Sequence, residues 1–331
     1  MLTERENMLR VIRGEQPEWV PDYEAACVTV RQKAIGMRKD PETGHMVDIF
    51  GVHFVNAPDG IMAVTDGQGR YVMDDITKWR EYMPKIDLDQ IDWEAEGNWC
   101  RAQMEKAQGE GSASEKVSCL FGYGKTWEEM HYMMGFEEAF TALVEEPEEC
   151  AEFLMTLADF EVEAFHRLCK YYKPDMALLM DHFAVEKSLM MSPAVYREII
   201  KPAQAKIVKA FKEEGVIAQL HTDGMIEQVL PDLKEIGIDV IQPFQICNDL
   251  ERAKEKYGFI CVGGWDSHGP GNQPDATEEE VRKSVRVAMD TYAPTGRYIF
   301  WNSGVTGRDQ DKMVWTMDEA RIYGHAFYKG K

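Results

Sequence analysis

His221 and Asp223 stand one residue apart in QLHTDG, directly after an apolar run. Asp181 and His182 are adjacent in LLMDHF, and Glu186 follows four residues after His182. Imidazoles and carboxylates brought together at a dry mouth can hold a hard or borderline metal, or shift one another's pKa for acid–base work. Each residue also has a plainer reading. His221 fits a satisfied histidine in a core layer, Asp223-Gly224 a turn and helix cap, and Asp181 a cap or loop bond. Glu186-Lys187 fits a surface ion pair of little energetic value. On residue types alone both readings stay open.

The elements that must position these residues form a rhythm from Val117 onward. Strands are predicted in KVSCLFGYG, PDMALLMDHFA, VIAQLHTDG, DVIQPFQ, FICVGGWD and RYIFWNSG, with amphipathic helices between them. Short apolar runs alternating with helices mean parallel strands covered by helices. Six such units count towards an α/β (β/α)8 TIM-type barrel, in a single domain over residues 1–331. A doubly wound sheet is the competitor, but no GxGxxG or Walker A motif supports a nucleotide site. Ser192-Pro193 opens a helix, and Gly215 and Gly237 each close one. Residues 1–116 are expected to add a helix (Thr3 to Arg13), a first strand in WVPDYEAACV and an extension of short β-hairpins. The hairpin turns are expected at Pro58-Asp59-Gly60 and Asp66-Gly67. A helix and an exposed loop follow, between Glu94 and Lys116.

In a parallel barrel the site lies at the C-terminal strand ends. Besides the residues above, those ends carry Tyr23, Tyr123, Gln242, Phe244, Gln245, Trp265, Asp266, Trp301, Asn302 and Ser303. Convergence on one face raises the chemical reading, and aromatic walls with few polar groups suit a flat, partly apolar substrate.

Composition narrows the function classes. The chain has 58 acidic and 37 basic residues, a formal net charge of −21. Such a surface repels phosphate backbones and anionic lipid, so neither nucleic acid nor a membrane is expected as a partner. No run of about 18 apolar residues is present. The N-terminus lacks the apolar core of a signal peptide, so a cytoplasmic protein is expected. The seven cysteines are scattered singly without a CxxC pair, as reduced thiols would be. The 20 methionines read as core filler, with an adaptable apolar pocket as the minority reading.

SPAVYREIIKPAQAKIVKAFKEEGVIAQLHTDG and LFGYGKTWEEMHYMMGFEEAFTALVEEPE, with GIDVIQPF, GGWD and the final strand and helix, occur in the order of the uroporphyrinogen decarboxylase superfamily. The chain resembles that superfamily from about Val117 to its end, and more loosely at VIRGEQPEWVPDYE. The resemblance implies a (β/α)8 barrel. True decarboxylases of this superfamily carry an arginine-rich RQAGR-type motif for substrate carboxylates. Here the region reads YEAACVTVRQKAIGM, with Arg31 and Gln32 but not the motif. The other branch is the corrinoid-dependent methyltransferases. Their thiol-methylating members bind zinc through His-x-Cys and a late cysteine. His221 matches that histidine, Asp223 replaces the first cysteine, and Ser303 stands where the late cysteine would be. The loss resembles the demethylating members, including O-demethylases, which use carboxylate and histidine ligands.

The resemblance therefore implies an O-demethylase methyltransferase. It would pass a methyl group, from an aromatic methyl ether above all, to the cobalt of a corrinoid (cobalamin) on a partner protein. His221 and Glu186 are expected as metal ligands, zinc being the candidate, or as proton carriers. Asp181, His182 and Asp223 are expected beside them as catalytic groups. Tyr23, Tyr123, Phe244, Trp265, Trp301 and Asn302 are expected to line the pocket. A porphyrinogen-type decarboxylase and a non-catalytic small-ligand-binding barrel are the alternatives. A homodimer stays open.

Overall fold

The structure is a computed structural model that describes residues 2–56, 63–65, 71–108, 115–302 and 309–329. Its apolar runs form seven parallel strands: β1 (Cys27–Arg31), β6 (Val117–Tyr123), β7 (Met176–Met180), β10 (Ile217–His221), β11 (Val240–Phe244), β12 (Ile260–Gly264) and β13 (Tyr298–Trp301). They lie side by side in the order β1-β6-β7-β10-β11-β12-β13. Between them come a small antiparallel sheet of β2 (Arg38–Lys39), β3 (Met46–Val47), β4 (His53–Asn56) and β5 (Ala63–Thr65), and a hairpin of β8 (Ala184–Val185) and β9 (Ser188–Leu189). The main helices are α1 (Glu4–Ile12), α2 (Tyr23–Ala26), α3 (Trp93–Gln108), α4 (Thr126–Met134), α5 (Phe136–Glu145), α6 (Pro147–Cys169), α7 (Lys201–Glu213), α8 (Leu230–Ile236), α9 (Glu278–Tyr292) and α10 (Gln310–Ala326).

The strand pleat sorts alternate residues into two cores. Val117, Cys119, Met176, Leu178, Val240, Ile260, Val262 and Ile299 pack together with Met8, Leu9 and Val11 of α1. Leu120, Ala177, Leu179, Ala218, Leu220, Ile241 and Cys261 belong to the helix-side core. Burial on both faces explains why these strands read as unbroken apolar runs. The predicted caps are in place: Ser192 Oγ accepts from the Val195 N–H at 3.2 Å, Gly215 has φ 70°, and Gly237 ends α8 at φ 98°.

One expectation needs correction. The first strand is not in WVPDYEAACV up to Glu24. Asp22 accepts from the Glu24 N–H and caps the single helical turn α2, and the strand begins only at Cys27. A capping aspartate ahead of Tyr-Glu-Ala-Ala favours that turn over an extended strand. The sequence after Gly135 is helical as expected and forms two helices, α5 and α6, because Pro147 starts α6 afresh. A closed eight-stranded barrel is not shown. The fold is α/β, with a seven-stranded parallel sheet consistent with a TIM-like arrangement. β13 meets the chain ahead of β1 at one parallel bridge, Asp22 to Phe300, where the Phe300 N–H donates to the Pro21 carbonyl at 2.9 Å. The expected hairpins take the form of the antiparallel sheet β2–β5. Their predicted turns at Pro58-Asp59-Gly60 and Asp66-Gly67 lie outside the described residues.

Candidate active site

Parallel pairing sets His221, the last residue of β10, beside Met180 of β7 and Gln242 of β11. The chain beyond β7 delivers Asp181 and His182, and the turn after β10 delivers Asp223. The His182 and His221 rings meet edge to face, 5.1 Å between centres. One ligand atom from each of His182, His221 and Asp223 lies within 4.8 Å of the others.

The two imidazoles are held in opposite states. His182 Nδ1 is 2.9 Å from Glu128 Oε1, and Nε2 is 3.2 Å from Asp223 Oδ2. Burial works against a charge on this ring, but Asp223 and Glu128 outweigh it and push its pKa up to about 10. His182 is therefore an imidazolium at neutral pH. His221 goes the other way, lowered first by burial and then by the cation on His182. Its Nδ1 lies 2.8 Å from Gln242 Oε1. Because an amide oxygen only accepts, Nδ1 carries the proton and Nε2 keeps its lone pair. The Asp223 carboxyl is lowered; burial alone would raise it, and the His182 cation outweighs that.

Glu128 is a member of this group that the sequence reading missed. It is buried on α4, and Tyr132, one turn on, donates to its Oε1. The available signal was two adjacent acidic residues in KTWEEMHYMM, a helix whose neighbouring positions are apolar and buried. Asp181 sets the position of that helix. Its fully buried carboxylate accepts from Thr126 Oγ1 (2.6 Å), the Trp127 N–H (3.3 Å), the Glu128 N–H (2.7 Å) and Gln204 Nε2 (2.9 Å). It thus caps α4 from another strand. Burial raises its pKa to about 6 against those hydrogen bonds.

Gln245, also at a strand end, steadies the loop on the other side. It donates to Asp223 Oδ1 at 3.0 Å and accepts from the Gly224 N–H at 2.7 Å. Gly224 has φ 86°, and a Cβ there would lie 2.5 Å from the Val185 carbonyl oxygen. The β8–β9 hairpin therefore sits hard against the turn that carries Asp223.

Trp301 and Tyr23 are brought to the group. The Trp301 ring lies 6.3 Å from His221 and 5.9 Å from Tyr23. Trp301 Nε1 donates to Glu24 Oε1 at 2.7 Å, and the Tyr23 hydroxyl accepts from Gln219 Nε2 at 2.9 Å. The other predicted residues are not brought there. Glu186 occupies the exposed turn between β8 and β9. Tyr123 faces the helices, packed on Phe165 and Phe211, with its hydroxyl donating to Gln32. Phe244 belongs to the helix-side core. Trp265 packs under α9 and donates to Ser284 Oγ at 2.8 Å. Asn302 Nδ2 donates to Thr316 Oγ1 at 2.7 Å. Ser303 lies outside the described residues.

The family model described as uroporphyrinogen decarboxylase (URO-D) matches residues 111–305, more than half of the chain. No curated protein sequence matches it significantly. Among solved structures, a methyltransferase from Methanosarcina mazei superposes with a TM-score of 0.66 at 12% identity, covering 98% of this chain and 99% of its own. That identity speaks to the fold alone. A Xaa-Pro dipeptidase (TM-score 0.27, 14% identity, covering 50% and 45%) and a 3-keto-D-glucoside 4-epimerase from E. coli (0.32, 14%, covering 76% and 97%) overlap too loosely to bear on it. Among the described residues, no helix is long and apolar enough to cross a membrane.

Proposed function

Since the chain belongs to the uroporphyrinogen decarboxylase (URO-D) family, we propose that it is a methyltransferase of that superfamily that removes a methyl group from an aromatic methyl ether and passes it to the corrinoid of a partner protein. One observation carries the reading: two histidines and an aspartate converge at the strand ends beside an indole wall. In this reading the fold is a (β/α)8 barrel whose remaining stave is the segment at Pro21-Asp22. The Asp22–Phe300 bridge supports that.

An ether oxygen is a poor leaving group unless it gains a proton or a Lewis acid as the C–O bond breaks. His182 holds a proton at Nε2, and Glu128 fixes the ring from the other side at Nδ1. In the step proposed, the electron pair of the C–O bond goes to oxygen and His182 gives that oxygen its proton. A reduced corrinoid on the partner would supply the electron pair that takes up the methyl group. Asp223 holds the imidazolium in place before transfer, and Trp301 and Tyr23 shield the reacting centre from water. His221, neutral with a free Nε2, can accept a hydrogen bond or a proton from the substrate.

Two imidazole nitrogens and a carboxylate oxygen within 4.8 Å of one another are also a donor set that suits zinc. Held by His182, His221 and Asp223, it would polarise the ether oxygen in place of the His182 proton. Glu128 would then orient His182 from behind, as a carboxylate commonly does for a metal-bound histidine.

The test is to incubate the purified protein with 2-methoxyphenol and other methoxylated aromatics in the presence of a reduced corrinoid protein. The account expects methylated corrinoid and free phenol in equal amounts. Absence of transfer from any ether, amine or alcohol sinks it.

A further inference from the structure

Gln219 is a polar residue in an apolar layer. It stands two positions before His221 on β10, so the two side chains share one face of the strand. Its register partners, Leu178 of β7 and Val240 of β11, belong to the inner core, and Gln219 itself has no exposed surface. A buried amide costs stability unless its donors are met. Here both are met: Nε2 donates to the Tyr23 hydroxyl oxygen at 2.9 Å and to Gln242 Oε1 at 3.2 Å. Gln242 Oε1 is also the atom that His221 Nδ1 meets at 2.8 Å. A hydrogen-bond network thus runs from Tyr23 through Gln219 and Gln242 to His221.

The network has a direction. The Tyr23 hydroxyl directs its proton at Cys27 Sγ, so it offers Gln219 only its oxygen. Gln219 can meet that oxygen only with Nε2. The second N–H of the same nitrogen needs an acceptor, and Gln242 turns Oε1 to it. Because that oxygen is shared, His221 donates to it from Nδ1 and keeps the Nε2 lone pair free. Turning both amides round would place the His221 proton on Nε2 instead. Both N–H groups of Gln219 would then lie where Oε1 now lies, buried and without a partner among the described residues. A buried orphan oxygen is tolerated better than a buried orphan N–H, which favours the present direction.

We infer that Gln219 is a positioning residue for His221: through Gln242 it decides which ring nitrogen is left as an acceptor. A neutral ring protonated at Nε2 would neither accept from a substrate nor bind zinc through that nitrogen. The chemical consequence rests on the reading that His221 stands at the reacting centre; the choice of tautomer does not.

Nitrogen NMR of the histidine-labelled, chelator-treated full chain at neutral pH reads the tautomer directly. The His221 signals are those lost in His221→Ala. The wild type is expected to hold the Nδ1–H form in about tenfold excess or more. Gln219→Met keeps the side-chain length but offers no N–H, and should lower that ratio by about tenfold. Tyr23→Phe removes the anchoring oxygen and should shift the ratio the same way; it decides alone if Gln219→Met does not fold. A residue of purely structural value would change the thermal midpoint and leave the ratio as it was. Neither substrate nor corrinoid is present, so failure here is distinct from failure of methyl transfer. An unchanged ratio in the variant, or a wild type mainly in the Nε2–H form, overturns the inference.

Discussion

His182 keeps its proton because two carboxylates face a ring that burial alone would leave neutral. Glu128→Gln removes one of them, and the His182 pKa should fall by about one unit or more, read by NMR titration of its ring protons. The same linkage sets a stability trend. The folded-state pKa of about 10 lies above the ordinary 6.5, so the ion pair's contribution is complete below about 6.5 and is lost as pH rises through 10. Glu161, raised from 4.5 to about 8, works in the same direction over its own lower window. The thermal midpoint should therefore decline from pH 6.5 to 10, and more shallowly in Glu128→Gln. An equal slope in both proteins would remove Glu128 from the account. Of this group, His182, His221 and Asp223 were legible because they end apolar strands. Glu128 was not, because an acidic residue in a helix reads as solvent-facing until the packing shows which side is buried. Trp265 and Phe244 erred the other way: they follow or end strands but turn toward the helices.

A helix whose own N-cap, Lys125, offers no side-chain bond depends on a carboxylate from a neighbouring strand. Asp181→Ala strips buried acceptors from Thr126, Gln204 and the first amides of α4. Each group left unpaired costs about 1–3 kcal/mol, so the variant should lose about 3 kcal/mol or more in urea unfolding. Gly224 supports the opposite side of the site. Gly224→Ala forces a Cβ into the backbone of β8 at a φ that alanine adopts at a cost. Stability should drop by about 2 kcal/mol, read by urea unfolding. The strands from β6 onward were readable because burial on both faces makes them continuous and apolar. The first strand was displaced because Asp22 caps a turn that apolar patterning does not reveal. The antiparallel sheet was foreseen only as hairpins, since strand order among two- to four-residue strands is fixed by tertiary contacts.

Across the whole chain, a net charge of −21 attracts a partner that presents a positive patch and repels one that is acidic. A partner with a positive patch would thus bind faster at low salt. Zinc, if taken up by the histidine group, must displace the His182 proton, so affinity should rise with pH up to about 10. At 100 times its Kd it should add about 2.7 kcal/mol of stability, visible as a higher thermal midpoint that a chelator reverses. His221→Ala should abolish that shift. The fold class and the face that carries the site follow from the alternation of strands and helices. The parallel bridge between Asp22 and Phe300 does not, because it joins residues far apart in the sequence and depends on tertiary contacts.

The most direct measurement of the central claim is the single-turnover rate of methyl transfer from 2-methoxyphenol to a reduced corrinoid protein, compared in the wild type, His221→Ala and Glu186→Ala. A residue at the reacting centre should cost about 100-fold or more when removed, while an exposed hairpin residue should cost almost nothing. His221→Ala falling that far with Glu186→Ala near the wild-type rate is the predicted result. His221→Ala transferring methyl at the wild-type rate would contradict the placement of the active site at His182, His221 and Asp223.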